Sequence, residues 1–407
     1  MRTRLKEYAH KKVEPSWPDV SEKDIRAVAR AMRETFWSRG PKIGELEDKL
    51  ARYVGVRHAV AVNSGTSALH LAVEVLGIGE GDLVICSPFS YVASANCILF
   101  VRARPVFVDI EPETYNIDPA LVEKKITQLR KNPAHKKKLK AILATDIFGV
   151  PADWARLRAI AKKYGLFLIE DACEAMGAER KVNGVWRKGG SFGDTATFSF
   201  VYNKPVSAGE GGALVTNNRK FAELAWSLKN QGRVINGTWL DHDLVGYNYH
   251  LSDLNSALVL SQLSRVKEIL KKRARIAEMY HHALRGVPGI RLLTIPKDVK
   301  ISWFVYVVRL SDEYSRAERD RIIAALAKKG IVARIYFPPI HYQKVFREKL
   351  GYKVGDFPVA ENAGARTIAL PFHANLTREE IAYVAENFKN ALSSVASDNL
   401  GVGHLSG

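Results

Sequence analysis

Lys204 stands just past the apolar run ATFSF (196–200), between apolar segments, with Gly209-Glu210-Gly211-Gly212 behind it. A lysine held in an apolar pocket has its pKa depressed, and the neutral amine can form a Schiff base. Glycine pairs let the backbone approach such a group closely, although an arbitrary loop lysine is simply a surface residue. Glu170 and Asp171 form a second candidate, closing the very apolar run LFLIE (166–170). A carboxylate there is costly to bury unless a cation or ligand satisfies it. A metal ligand, a general base and the partner of a protonated heterocycle are all open, as is a helix N-cap for Asp171. A third candidate is Asn63-Ser64-Gly65-Thr66-Ser67, between the run HAVAV (58–62) and a helical pattern. Such a turn presents free N–H groups and hydroxyls to an anion, and equally reads as an ordinary N-cap. It fits neither the Walker nor the dinucleotide glycine pattern, and Gly77, Gly79 and Gly81 follow a helix and read as a turn. A phosphate cup, an acid for a pyridinium nitrogen and a buried lysine are together the parts that hold pyridoxal phosphate.

Those residues need a scaffold, and the pattern supplies one. Short apolar runs at 58–62, 83–87, 105–110, 141–145, 166–170, 196–200 and 212–216 alternate with helical stretches such as 67–76 and 153–163. Strands separated by helices predict βαβ units and a largely parallel, buried sheet. Ligands sit at the carboxyl ends of such strands, where all three candidates fall. Ser21-Glu22-Lys23-Asp24 predicts a capped helix. Residues 254–284 predict one long helix bridging to a smaller domain with a strand at 303–310 and a helix at 316–330. The expected division is an N-terminal segment and helix (1–40), a large cofactor-binding domain (41–280), a small C-terminal α+β domain (281–395) and a flexible tail (396–407).

Composition narrows the class. The 407 residues are 47% hydrophobic and 26% charged, an ordinary globular balance that excludes disordered and collagen-like chains. Cys86, Cys97 and Cys173 make neither a disulfide framework nor a zinc site, which points to a reducing, cytoplasmic setting. Residues 1–13 lack the apolar core of a signal peptide, and no stretch reaches ~18 apolar residues, so no membrane partner is expected. The net charge of +18 invites nucleic acid, yet no helix-turn-helix or RNA-binding signature supports that, and the lysines of 124–140 read as solvated surface.

The order of SGTSAL (64–69), PFSYVASAN (88–96), EDACEAMGA (170–178), FSFVYNK (198–204), GEGG (209–212) and GYNYHLSDL (246–254) closely resembles the DegT/DnrJ/EryC1/StrS sugar aminotransferases, perosamine synthase-like members in particular. The likeness runs from Trp37 to about Thr377. It implies a fold-type I architecture, pyridoxal 5'-phosphate as cofactor, no metal, and a homodimer with shared active sites. By the same resemblance Lys204 matches the lysine that forms the Schiff base, and Asp171 the acid that keeps the pyridine nitrogen protonated. Tyr91 matches the ring-stacking aromatic. Gly65, Thr66 and Ser67 match the phosphate cup, with Ser199 adding a hydroxyl, and Asn248 an asparagine that reaches the phosphate from the neighbouring subunit. Glu174 stands where many members have glutamine, Asp146 replaces a frequent histidine, and His250 a usual arginine. Tyr336 and His341 lie near the family's sugar pocket. The implied reaction moves an amino group, usually from L-glutamate, to a nucleotide-linked keto-sugar. GEGG with EDACEA resembles the enzymes acting on 4-keto-6-deoxyhexoses. A 3-keto-sugar or keto-inositol acceptor is the alternative, and a cofactor-holding sensor or nucleic-acid binder on the same fold a distant one.

Overall fold

In the computed structural model the described residues are 12–235, 237–238 and 240–402. The expectation for residues 1–11, and that of a mobile tail for 403–407, lie outside them. The central element is a seven-stranded sheet. Its strands come from β1 (His58–Val62), β2 (Leu83–Cys86), β3 (Arg104–Phe107), β4 (Leu139–Thr145) and β5 (Phe167–Asp171); after a separate hairpin, β6 (Glu179–Val182) and β7 (Val185–Lys188), come β8 (Thr195–Ser199) and β9 (Gly212–Thr216). The order across the sheet is β1-β9-β8-β5-β4-β2-β3. Strands β3, β2, β4, β5 and β8 run parallel, and β9 is antiparallel to both neighbours. The expectation of a mostly parallel sheet therefore holds, with β9 as the exception. No helix separates β8 from β9, and a short return cannot make the crossover that a parallel pair requires.

Alternation along each strand divides the core into two layers. Val60, Val62, Leu143, Ile169 and Leu214 face the helices Gly65–Glu74, Ala93–Phe100 and Arg219–Lys229. On the other face, Ala61, Ala196, Phe198 and Val215 meet the helices Pro41–Val54 and Asp253–Ser264. Ile142, Ala144 and Leu168 there meet Pro119–Arg130 and Trp154–Tyr164. Each fully buried Leu or Ile contributes about 1.5–3 kcal/mol, so the two-sided burial fixes the strand ends that carry the chemistry. The segments 118–140 and 153–164, on this second face, hold twelve Lys and Arg against three carboxylates, half of the chain's net charge of +18.

A smaller lobe follows. It is built from β10 (Ile290–Leu292), β11 (Val299–Lys300), β12 (Tyr306–Leu310), β13 (Arg334–Ile335) and β14 (Thr367–Leu370). Its sheet has the order β10-β12-β14-β13 and is antiparallel throughout, while β11 joins β6 and β7. The helices Val266–Leu284, Arg316–Lys328 and Arg378–Val402 close around it. Phe304, Val307, Phe337, Phe346 and Phe357 belong to the same apolar cluster as the large lobe, so the lobes share a core.

Two expectations need correction. The long helix of 254–284 is broken at Arg265 (φ −118°, ψ 16°) into Asp253–Ser264 and Val266–Leu284. At the break the Arg265 guanidinium turns inward, donating to Asp19, to Asp24 at 3.1 Å and to Glu268 at 3.2 Å. The tail expected from residue 396 is helical through Val402. Among the described residues no helix is long and apolar enough to cross a membrane.

Candidate active site

The carboxyl ends of β1, β2, β4, β5 and β8 open into a cavity of about 820 Å³, closed on its other side by β13 and the segment after it. Its lining includes Ser64, Gly65, Thr66, Tyr91, Asp171, Glu174, Ser199, Lys204 and Tyr336, so most of the candidates read from the sequence meet here.

Lys204 sits on the floor with its side chain 10% exposed. Its Nζ lies 3.8 Å from Glu174 Oε1 and 3.6 Å from the centroid of the Phe304 ring. Glu174 also accepts from the Phe148 N–H at 2.9 Å and the Tyr336 hydroxyl at 3.2 Å. Burial raises its pKa, and the Lys204 charge draws it back in part.

Adjacent positions on β5 point to opposite faces, and this separates the two acids that the sequence left side by side. Asp171 faces the cavity. Its Oδ2 accepts from Ser94 Oγ at 2.6 Å and Thr145 Oγ1 at 3.4 Å, and its Oδ1 from the Cys173 N–H at 3.2 Å. Glu170 faces away and is fully buried, accepting from the N–H groups of Gly190, Phe192 and Gly193. Asp146, also fully buried, accepts from Ala152 N at 2.9 Å and Trp154 Nε1 at 2.8 Å. Burial pushes Asp146 well above the usual carboxyl range, with the nearby Glu170 charge adding to it, and raises Glu170 to about 7.

The turn after β1 does both jobs that its sequence allowed. Ser64 Oγ accepts from the Ser67 N–H at 3.0 Å, a helix N-cap, while Ser64, Gly65 and Thr66 line the cavity. Gly65 has no room for a side chain: an added Cβ would lie 2.9 Å from Ser199 Cβ and 3.2 Å from Cys173 Sγ. Ser67 does not line the cavity; its hydroxyl donates to Asn63 Oδ1 at 2.6 Å.

Tyr91 stands at the rim, 63% exposed. Asn248 is exposed outside the cavity, on a segment tied to the β1 turn by Asn63 N→Tyr249 O at 3.0 Å. Beside it, burial holds His250 down to about 4, helped by Lys229, Arg39 and Arg233. His341 is not brought to the cavity. The short 3-10 turn Ile340–Tyr342 sends its ring into the lobe's interior, where Nε2 meets Glu361 Oε1 at 2.9 Å and Phe357 packs against the ring. Sequence reasoning missed Ser94, Thr145, Asn203, Phe304 and Arg334. Ser94 and Thr145 lay within motifs that drew attention for other residues, and Arg334 precedes Tyr336 by two positions on an extended segment.

The cavity fits pyridoxal phosphate by its donor set. It offers a primary amine, a carboxylate held by hydroxyls, a glycine-floored turn at a helix N-terminus and a buried Asn203 Oδ1 without a partner among the described residues.

The family model of the DegT/DnrJ/EryC1/StrS aminotransferases matches residues 18–389. GDP-perosamine synthase of Vibrio cholerae is 37% identical over 360 residues, covering 88% of this chain and 93% of that protein. Among solved structures, the putative sugar aminotransferase Spr1654 of Streptococcus pneumoniae in its PMP form superposes with a TM-score of 0.88 at 28% identity, covering 95% of this chain and 99% of that one. Helicobacter pylori PseC, an aminotransferase of pseudoaminic acid biosynthesis, gives 0.86 at 28% identity, covering 94% and 100%.

Proposed function

The chain belongs to the DegT/DnrJ/EryC1/StrS aminotransferase family, and from that premise we propose that it transfers an amino group from L-glutamate to a nucleotide-linked 4-keto-6-deoxyhexose. That it is a pyridoxal-phosphate-dependent sugar aminotransferase follows from the family. The likeness to GDP-perosamine synthase supports the choice of sugar class. The observation that carries the reading is the convergence of Lys204, Asp171 and the Ser64–Thr66 turn on one cavity.

Bound pyridoxal phosphate supplies an electron sink for the carbanion left when a substrate's α-proton departs. Lys204 would hold the cofactor and, once displaced by the amino donor, act as the base that takes the α-proton and returns it. Positioned proton transfer of this kind is worth roughly 10²–10⁴-fold. Asp171 would keep the ring nitrogen protonated, and the hydroxyls of Ser94 and Thr145 orient its carboxylate toward that task. Glu174 and Tyr336 hold the Lys204 amine at the floor. The turn at Gly65 and Thr66 and the Ser199 hydroxyl would take the phosphate. A homodimer with shared sites is part of the same reading. Exposed Leu240, Leu244 and Val245, on the segment that leads to Asn248, give a second copy apolar side chains to cover, and Asn248 lies outside its own subunit's cavity.

Incubation with ¹⁵N-glutamate and a panel of nucleotide keto-sugars, read by mass spectrometry, tests the acceptor. Labelled 4-amino sugar is the expected product, and transfer only to a 3-keto-sugar or keto-inositol contradicts the proposal. Lys204→Ala is expected to lose the lysine-linked absorption band and at least ~10²-fold in turnover; a variant that kept both contradicts the role of Lys204.

A further inference from the structure

Five charged side chains line the cavity: Asp171, Glu174, Glu210, Lys204 and Arg334. Lys204 and Asp171 would be engaged by the cofactor, and Glu174 stands against Lys204. Arg334 has no task in that scheme. Its side chain is exposed, and among the described residues it makes no hydrogen bond or ion pair. Its backbone is firmly seated, because β13 pairs with β14 in the register Arg334↔Ala369 and Ile335↔Ile368, and Tyr336, two residues on, reaches Glu174.

On the reading proposed above, both substrates are anions: the donor carries carboxylates and the acceptor a diphosphate. Glu210, the acid of the cavity with no such engagement, repels either. Lys204 cannot offset this while it holds the cofactor, which leaves Arg334 as the free cation among the described lining residues. A guanidinium suits the task, since it stays charged and presents a planar fork that matches two oxygens of a carboxylate or phosphate.

We propose that Arg334 is the oxyanion-recognising residue of this cavity, holding a substrate carboxylate or diphosphate while the amino group is transferred. The shared chemistry is a bidentate oxyanion contact, and the two sources can be told apart. Arg334→Gln and Arg334→Lys would be prepared as the full-length, cofactor-loaded protein. Two half-saturation constants would be compared with those of the unchanged protein: the absorbance change on adding L-glutamate alone, and calorimetric binding of guanosine diphosphate. The expected result is a rise of about 10- to 100-fold in one of them for Arg334→Gln. The rise is smaller for Arg334→Lys, which keeps the charge but loses the fork, and the Lys204-linked absorption band stays unchanged in both. A rise for glutamate identifies the donor carboxylate, and a rise for the nucleotide the acceptor diphosphate. Both constants within twofold of the unchanged protein overturn the proposal. An unchanged protein that leaves glutamate untouched overturns the functional reading instead, and the calorimetric arm still decides Arg334.

Discussion

Glu170 and Asp171 are chemically near-identical neighbours with opposite fates. One residue of strand pleat puts Asp171 among the cavity hydroxyls and Glu170 among the backbone amides of 190–193. No reading of residue type could separate them; the pleat does. Asp146, which the sequence marked only as an unusual replacement, is a second buried acid whose charge acts on Glu170. Because both acids hold protons more tightly folded than unfolded, the folded chain binds more protons between the ordinary carboxyl range (about 4–5) and about 7. Stability from this pair is therefore fullest at the acid end of that window and falls as pH rises through it. Asp146→Asn keeps an acceptor for Trp154 and removes one of the two titrating acids and its charge from beside Glu170. It is expected to lose less stability than the unchanged protein between pH 5 and pH 8, by on the order of 1–3 kcal/mol. Urea unfolding at both pH values checks this, and parallel losses in the two proteins would contradict it.

At the scale of elements, the strands read from apolar runs match the sheet within about two residues at most ends, because a strand buried on both faces shows as a continuous apolar run. Direction was less visible. The β6–β7 hairpin turns on Asn183-Gly184 with φ of 50° and 82°, an available Asn-Gly signal obscured by its charged, exposed flanks. His341 lies on a segment that lines the cavity yet points away from it, because one 3-10 turn decides which way a side chain leaves its segment. The joint between β9 and the β1 turn is tight: a Cβ on Gly212 would lie 2.4 Å from Ser64 O and 2.6 Å from Gly65 N. Gly212→Ala must push that turn aside. Cofactor affinity, measured by fluorescence on dilution, is expected to fall about tenfold or more, with global unfolding cooperativity retained. Unchanged affinity would mean that the turn does not hold the phosphate.

For the whole molecule, the sequence made the layered α/β plan visible but not the shared core between the lobes, because Phe304, Phe337 and Phe357 lie far from the large lobe's residues in the chain. The exposed segment from Leu240 to Val245 carries a separate expectation. Val245 is 93% exposed and Leu240 67%. Burying such a side chain is worth about 1.5–3 kcal/mol, counted twice across a two-fold interface. Sedimentation of the unchanged protein is expected to give twice the chain mass, and Val245→Glu to raise the dimer dissociation constant at least ~10²-fold. A monomeric unchanged protein would refute the assembly.

The lysine-rich helices bear on how two such copies would find each other. They occupy the sheet face opposite the helix that carries Phe100. Two chains drifting together with those faces inward meet a repulsive barrier that begins near one Debye length, about 8 Å at physiological ionic strength. Encounters with the Phe100 face inward meet a weaker one. In the proposed dimer the surplus charge would act on diffusion as an orientational filter, turning away unproductive collisions before any contact forms.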